Sequence, residues 1–211
     1  MALYDLRING IYSLELKIHQ GRSNSVYVGR NIESNKEVII KVEKMGKEQT
    51  ISLLNNEAFY LSKLQGKYGI PTMLSSGTEG EYHILIMEKM MNNMSILFEK
   101  CSRKFSLKTV LMFANEALSI LEAMHNENVI HRNLKPEHFY MGNIKKSHHL
   151  FLSGFSGAIG FWEGLEKKQI QLHGTPRYFS LNAHKGMYPS KKDDLESLGY
   201  IFIYFLKGYL P

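Results

Sequence analysis

The stretch that decides the fold is Val129-Ile130-His131-Arg132-Asn133-Leu134-Lys135-Pro136-Glu137-His138-Phe139. It follows a segment in which apolar residues recur at helical spacing, which predicts a long helix with Ser106 as its N-cap. The positions that we assign to the buried side of this helix are Val110, Ala114, Ala117, Leu118, Leu121 and Met124. The helix is expected to end near residues 126–128 and to deliver the loop that begins at His131.

This loop, His-Arg-Asn-Leu-Lys-Pro-Glu-His, resembles the catalytic loop His-Arg-Asp-Leu-Lys-Pro-Glu-Asn of protein kinases. Four further blocks resemble the same family in the same order: Val38-Ile39-Ile40-Lys41, Asn56-Glu57-Ala58, Gly174-Thr175-Pro176-Arg177-Tyr178 and Lys192-Asp193-Asp194-Leu195-Glu196-Ser197-Leu198-Gly199-Tyr200. The last block and Ser180-Leu181-Asn182 are similar to the casein kinase I-type branch, in particular the vaccinia-related kinases. With Asn133, the combination resembles a poxvirus pseudokinase of that group.

The resemblance implies an α+β, bilobal, protein-kinase-like fold in a single domain, residues 1–211. An antiparallel sheet plus one helix is expected in the first lobe, about residues 11–88, and a mostly helical lobe in residues 89–211, truncated after its central helix. Kinases usually add further helices there, so incomplete burial is expected for Leu198, Ile201, Phe202, Phe205 and Leu206. The sequence leaves open a fragment, a naturally short form, or a helix that a partner covers.

Composition is that of an ordinary soluble globular protein, with 44% hydrophobic and 22% charged residues. The single cysteine, Cys101, excludes an internal disulfide framework and suits a reducing compartment. We expect no signal peptide, since residues 1–10 have no apolar core, and the longest apolar run, residues 201–206, is too short for a membrane span. We expect a protein that is not secreted, and the resemblance implies the nucleus and cytoplasm of a host cell.

The formal net charge of +6 is spread over separate lysine pairs. This distribution favours a solvated surface, with attraction to nucleic acid or an acidic partner as the alternative. Neither zinc-ligand spacing nor an aromatic-basic RNA motif is present, so sequence-specific nucleic acid binding is not expected.

The first lobe begins with an alternating strand, residues 11–19, in which Tyr12, Leu14, Leu16 and Ile18 share one face. A second strand, residues 25–30, is expected to turn Val26 and Val28 inward. Kinases cover nucleotide phosphates with the glycine-rich turn between these strands. Its three glycine positions read His19, Gly21 and Asn24 here, so only Gly21 is kept. The turn therefore has either a weakened phosphate-binding role or the role of an ordinary polar hairpin.

Lys41 lies in a third predicted strand, residues 37–43, and Glu57 in a predicted helix, residues 48–65. By resemblance the two form the ion pair that places the lysine against nucleotide phosphates. The alternative is an ion pair that only braces the helix on the sheet. Two further strands, residues 73–78 and 82–88, are expected to pair with each other. They lead to Glu88 and Met90, which match the segment that holds adenine through backbone groups in kinases. ATP binding through Gly21, Lys41, Glu57, Glu88 and Met90 is thus an open expectation.

Phosphoryl transfer requires groups that this chain lacks. Asn133 replaces the aspartate that accepts the substrate proton, and an amide is no base near neutral pH. His138 and Gly154 replace the two magnesium ligands, although magnesium prefers oxygen ligands. We therefore expect no catalytic residue, no bound magnesium and no enzymatic activity.

Other residues of the loop region are expected to support the fold. By resemblance, His131 and Phe155 stack with Leu61 and tie the two lobes together, and Asp194 receives backbone amides of the loop. Lys135 contacts the transferred phosphate in kinases, or is here a plain loop cation. The aromatic pair formed by Phe161 and Trp162 packs locally or anchors a partner.

These observations predict a pseudokinase that regulates by binding a protein. By resemblance, the partner is an active Ser/Thr kinase of the vaccinia-related type, viral or host, or its DNA-associated substrates during poxvirus infection. The alternatives are a residual, slow Ser/Thr kinase and a module that senses nucleotide without turnover.

Overall fold

The computed structural model describes residues 7–21, 24–46, 52–143, 148–161 and 172–210. The chain divides into two compact units, of which the first comprises Met1–Gln65 and Pro71–Lys89. The second comprises Gly66–Ile70 and Met90–Pro211. Residues 66–70, which we assigned to the first lobe, therefore group with the second unit. The assignment of the whole chain to one domain stays a prediction.

The first unit is built on a six-stranded antiparallel sheet in the order β1-β2-β3-β4-β6-β5. Its strands are β1 (Arg7–Ile8), β2 (Tyr12–Gln20), β3 (Asn24–Asn31), β4 (Glu37–Lys44), β5 (Met73–Glu79) and β6 (Tyr82–Glu88). The single helix of this unit that the structure describes is α1 (Leu53–Lys63). The strands bury one apolar cluster: Ile8, Tyr12, Leu14, Tyr27, Val38, Ile40, Val42, Ile84 and Ile86.

Strand β2 leaves the core halfway along its length. Tyr12 and Leu14 are buried, but Leu16 is 61% and Ile18 51% exposed, so the prediction of one buried face was wrong for the outer half. The pairing of β2 with β3 shifts register between Leu14 and Leu16, and again between Lys17 and His19. Bulges of this kind bend and twist a strand, so strict alternation no longer follows the core. In β3, Val28 is buried as predicted and Val26 only half-buried.

Helix α1 starts at Leu53 after the N-cap Ser52, whose hydroxyl accepts a hydrogen bond from the Asn55 amide at 3.0 Å. The predicted start at Glu48 lies outside the described residues. The described helix buries Leu54, Glu57, Tyr60 and Leu61.

The second unit is mostly helical, with short two-stranded pairings. Its helices are α2 (Met94–Lys100), α3 (Leu107–Asn126), α4 (Leu181–His184) and α5 (Lys191–Lys207). Its strands are β7 (Val129–Ile130), β8 (Phe139–Met141), β9 (Leu150–Leu152) and β10 (Ile159–Gly160), and β7 pairs with β10 and β8 with β9. Three-residue 3₁₀ helices are Pro136–His138, Phe155–Gly157 and Pro176–Tyr178. Within the described ranges, no helix combines the length and apolarity that crossing a bilayer demands.

Ser106 caps α3 as predicted, since its hydroxyl accepts the Thr109 amide at 3.1 Å. Four of the six positions that we assigned to the buried side of α3 are buried: Val110, Ala117, Leu121 and Met124. Leu118 is 46% exposed, so its assignment to the core was wrong, and Ala114 is half-buried. The prediction also missed Phe113 and Ile120, which are buried at 5% and 0% exposure.

Helices α3 and α5 run antiparallel, because Phe105 at the start of α3 donates to the Phe205 carbonyl at 3.2 Å while His125 near its end contacts Asp194. Rings of Phe98, Phe105 and Phe113 surround Phe205 with centroid distances of 5.0–5.2 Å. The aromatic packing fully buries Leu198, Ile201 and Phe205, so the expectation of incomplete burial was wrong for these residues. It holds for Phe202, which is half-buried, and for Leu206, which is 39% exposed.

Candidate functional site

In the first unit, Lys41 and Glu57 form the predicted ion pair. Lys41 lies in the middle of β4, and its Nζ is 2.7 Å from Oε1 of Glu57 on α1. Both side chains are largely buried, at 13% and 2% exposure. A buried pair of this geometry holds the helix on the sheet, and it leaves the lysine in place for an anionic ligand. Both interpretations of the pair are compatible with these distances.

The predicted glycine-rich turn is a short hairpin. Strand β2 continues to Gln20 and β3 begins at Asn24, so the glycine-loop positions His19 and Asn24 belong to paired strands. The Gly21 amide donates to the Asn24 carbonyl at 2.8 Å, and the Ser25 hydroxyl donates to Gln20 Oε1 at 2.8 Å. The Gly21 amide is thus engaged within the hairpin. This arrangement favours the ordinary polar hairpin over a phosphate-binding loop.

The two residues of the predicted adenine segment fall in different units. Glu88 ends β6, and its Oε1 accepts the Thr72 amide at 2.8 Å while its own amide donates to the Thr72 carbonyl at 2.9 Å. Glu88 therefore joins the end of β6 to Thr72, the residue that precedes β5. Met90 belongs to the second unit and is half-buried. Their part in nucleotide binding stays a prediction.

In the second unit, Asp194 organises the loop that the sequence singled out. It is 1% exposed at the start of α5. Its Oδ2 accepts the His131 amide at 2.9 Å and its Oδ1 the Arg132 amide at 3.0 Å. His125 Nε2 donates to the same carboxylate at 3.0 Å. The predicted role of Asp194 as receiver of loop amides is confirmed, and the contribution of His125 was not foreseen.

His131 is fully buried and links the loop to the strand that precedes Gly154. Its Nε2 donates to the Ser153 carbonyl at 3.1 Å, and its Nδ1 accepts the Asn133 amide at 3.3 Å. A carbonyl can only accept, so the ring carries its proton on Nε2 in this arrangement. Its ring lies against Phe155 at 5.0 Å between centroids. The predicted contact between His131 and Phe155 is thus observed in the second unit, and the predicted stacking on Leu61 stays a prediction.

His138 occupies the space that a side chain at position 154 would need. Gly154 has φ +89°, and a Cβ built on it would lie 2.6–2.7 Å from three atoms of the His138 imidazole. The imidazole is held there by a 2.8 Å hydrogen bond from its Nδ1 to the Asn133 carbonyl. The Ser153 amide donates to the His138 carbonyl at 2.9 Å and joins the two segments. The two residues that replace the expected metal ligands are therefore in direct contact.

Asn133 turns its side chain towards the segment that precedes α4. Its Oδ1 accepts the Thr175 hydroxyl at 3.2 Å. Gly174, at φ +119°, lies so close that a Cβ there would be 2.8 Å from the Arg132 carbonyl and 3.1 Å from Asn133 Oδ1. Asn133 thus fastens this segment to the loop, a structural use that its amide suits as well as a carboxylate would.

Arg132 adopts a left-handed backbone, φ +67°, and donates from Nη1 to the Gly157 carbonyl at 3.2 Å. His173 packs directly on Gly157, where a Cβ would be 1.9 Å from its ring. Burial, together with the nearby charge of Arg132, lowers the pKa of His173 below its ordinary value of 6.5. The neutral imidazole is therefore favoured at this contact. Sequence reasoning missed both Arg132 and His173, because nothing local marks them.

The donor set of this loop does not fit magnesium. Gly154 has no side chain, His138 offers an imidazole, and Asn133 offers one amide oxygen that is already bonded to Thr175. Magnesium takes hard oxygen ligands, usually with carboxylates. Across the described residues, no three histidine, cysteine, aspartate or glutamate side chains converge on one point. Lys135 is half-buried in the same loop, and its role stays open. Trp162 lies outside the described residues.

Residues 12–211 match the family model described as protein kinase domain. The match spans both units and includes each of the blocks on which the sequence resemblance was based. It is consistent with the α+β composition of the structure, an antiparallel sheet with one helix followed by a mostly helical unit.

Proposed function

Because the chain belongs to the protein kinase domain family, we propose that it is a pseudokinase, which keeps the family's fold and acts by binding another protein. In this proposal the loop around His131 is a scaffold that Asp194 holds in shape. The three replaced positions, Asn133, His138 and Gly154, serve the internal contacts of the fold instead of phosphoryl transfer.

The contact of His138 with Gly154 carries the proposal. A carboxylate at position 154 would need the volume that the imidazole fills, as shown by the 2.6–2.7 Å separations from a built Cβ. An aspartate restored at position 154 alone would clash with the imidazole, so position 138 would have to change with it. Phosphoryl transfer depends on metal ions that neutralise the developing charge, and none of the three replaced positions supplies an anionic ligand for them.

The proposed partner is an active Ser/Thr kinase of the vaccinia-related group, viral or host, or one of its DNA-associated substrates. The resemblance to the vaccinia-related kinases supports this choice, and with it a role in poxvirus infection within the nucleus and cytoplasm of the host cell. Helix α3 supports a protein-binding role, since Leu107, Leu111 and Leu118 share one side and are 62%, 59% and 46% exposed. Exposed apolar residues grouped in this way are typical of interaction surfaces.

A nucleotide-sensing module without turnover is the second candidate. The intact Lys41–Glu57 pair, at 2.7 Å, favours it, because this lysine is the one that contacts phosphates in kinases. The short hairpin at Gly21 argues against it, since the amide of this glycine is engaged with the Asn24 carbonyl. A residual slow kinase would need magnesium bound by other groups.

A thermal-shift titration with ATP, with and without magnesium, separates these candidates. The pseudokinase scaffold is expected to show no shift in either condition. A shift that does not need magnesium supports the nucleotide-sensing module and disappears on Lys41→Met. A shift that requires magnesium contradicts the proposed loss of the metal site.

A phosphotransfer assay provides the second test. With γ-labelled ATP and a mixture of acceptor proteins, no label transfer is expected from the unchanged chain. The triple variant Asn133→Asp, His138→Asn, Gly154→Asp puts back the base and both ligand types and replaces the imidazole by a smaller side chain. Label transfer by the unchanged chain that vanishes on Lys41→Met would overturn the proposal. Association with an active vaccinia-related kinase is measured by pull-down, with Leu111→Glu expected to weaken it.

A further inference from the structure

Glu43 contacts the same helix as Lys41, from the same strand. It lies two positions further along β4, so both side chains project from one face of the sheet. Glu43 is 7% exposed, which is rare for a glutamate unless its charge has partners. Its Oε2 accepts the Leu54 amide at 3.0 Å and also the hydroxyl of Ser52. A carboxylate of the sheet therefore lies at the N-terminus of α1.

The N-terminus of α1 needs such a group. The first amides of a helix have no acceptor inside the helix, and together they carry a partial positive charge. The first turn of α1 contains no acidic residue. The Ser52 hydroxyl accepts the Asn55 amide, and Glu43 accepts the Leu54 amide. The strand thus supplies the negative charge that many helices carry in their own first turn.

The two side chains of β4 that contact α1 carry opposite charges. Glu43 faces the positive end of the helix, and Lys41 faces the carboxylate of Glu57, at 2.7 Å and about one turn further on. One contact alone would leave the helix able to pivot about it. Two contacts about one turn apart along α1 fix both the position and the rotation of the helix.

We propose that Glu43 is a positioning residue that anchors the N-terminus of α1 and thereby sets the Lys41–Glu57 ion pair. The proposal does not depend on the pseudokinase assignment, because it concerns the docking of the helix whether or not nucleotide binds. Glu43 touches no reacting group and acts only through α1.

The first test is amide hydrogen exchange of α1, followed by mass spectrometry in the full chain with Glu43→Gln. Hydrogen bonds to a charged group are strong enough that protection of the α1 amides should fall about tenfold or more. The matched control is Glu37→Gln on the same strand, whose carboxylate is exposed and paired with Lys89 instead of α1. It should leave α1 unchanged. Equal protection in the Glu43→Gln variant and the unchanged chain would overturn the proposal.

The second test uses Ser52 and does not need Glu43 to be altered. Aspartate and serine are about equally good N-caps, and alanine is a poor one. If Glu43 lies beside this position, Ser52→Asp brings two carboxylates together and should reduce α1 protection more than Ser52→Ala does. In a Glu43→Gln background the order should reverse, because the new carboxylate then caps the helix without repulsion. An order that is the same in both backgrounds would indicate a purely general effect on stability and would rule out the anchor.

Discussion

The helix–sheet contact of the first unit and the loop of the second differ in whether the charged residues of their family motifs are present. At the first, Lys41 and Glu57 remain as a buried pair at 2.7 Å. In the second, the positions expected to bind metal carry Asn133, His138 and Gly154, none of which has a carboxylate. Both regions were identified from family motifs, yet only the first retains the charged groups of its motif.

The buried carboxylates explain this difference. Within the described part of the chain they are Glu43, Glu57, Asp193 and Asp194. Each has a partner inside the fold: Leu54 for Glu43, Lys41 for Glu57, Ser180 for Asp193 and the loop amides for Asp194. A buried charge without a partner is very costly. The charges that remain are therefore those whose partners belong to the same chain.

The largest expected effect is that of Lys41→Met. It leaves the Glu57 carboxylate buried without its cation, and breaking a buried pair in this way typically costs about 3–5 kcal/mol of unfolding free energy. Urea denaturation monitored in the first unit measures the loss. The double variant Lys41→Met, Glu57→Leu removes both charges and is expected to recover most of it. No recovery in the double variant would show that packing, and not the buried charge, dominates this region.

A smaller effect is expected for Gly154→Ala. The new Cβ would clash with the His138 ring. In addition, the left-handed backbone lowers the free energy of unfolding by about 1–2 kcal/mol for any L-residue. Gly186→Ala is the matched control, since Gly186 has φ +69° and open space around its Cβ position, so it measures the backbone cost alone. We expect the Gly154 variant to lose about 1–3 kcal/mol more unfolding free energy than the control, because its Cβ overpacks the site.

Adding His138→Ala to the Gly154→Ala variant should recover the part of the unfolding free energy that is lost through the clash. Denaturation midpoints of the single and double variants give the coupling between the two positions. Additive losses would mean that the imidazole moves aside freely. His138 and Gly154 would then not be packed tightly against each other.

The smallest effect concerns pH. Burial lowers the pKa of His173 from 6.5, so the unfolded chain takes up a proton at a higher pH than the folded chain does. The free energy of unfolding should therefore fall as the pH drops through 6.5. In His173→Gln this part of the acid dependence should disappear, as measured by Tm between pH 8 and pH 5. An unchanged slope would show that the ring is solvated when folded.

Much of the fold could be predicted from the sequence because its signals are local. The N-cap of α3, the pairing of β5 with β6 and the role of Asp194 follow from a cap residue, alternation and a motif. The exposure of Leu16 and Ile18 could not be predicted, because it results from register shifts between two strands. The burial of Phe113 on α3 could not be predicted either, because its ring packs on Phe205, which lies far along the chain.

The site was predictable as a set of positions and not as a set of contacts. Asn133, His138 and Gly154 stood out by departing from a motif. That His138 fills the space beside Gly154 depends on how two separate segments meet, which no local pattern records. Glu43 was overlooked although its spacing from Lys41 places it on the same strand face, and this period-two relation was the available signal.

The bonds made by Asp194 have a consequence for how the second unit folds. The amides of His131 and Arg132 lie 63 and 62 residues before their acceptor, and His125 lies 69 residues before it. Contacts between such distant residues require a large loop to close before they are gained, which slows folding. During synthesis, the central loop therefore emerges from the ribosome well before the carboxylate that gives it its shape, and it acquires that shape only when α5 has docked.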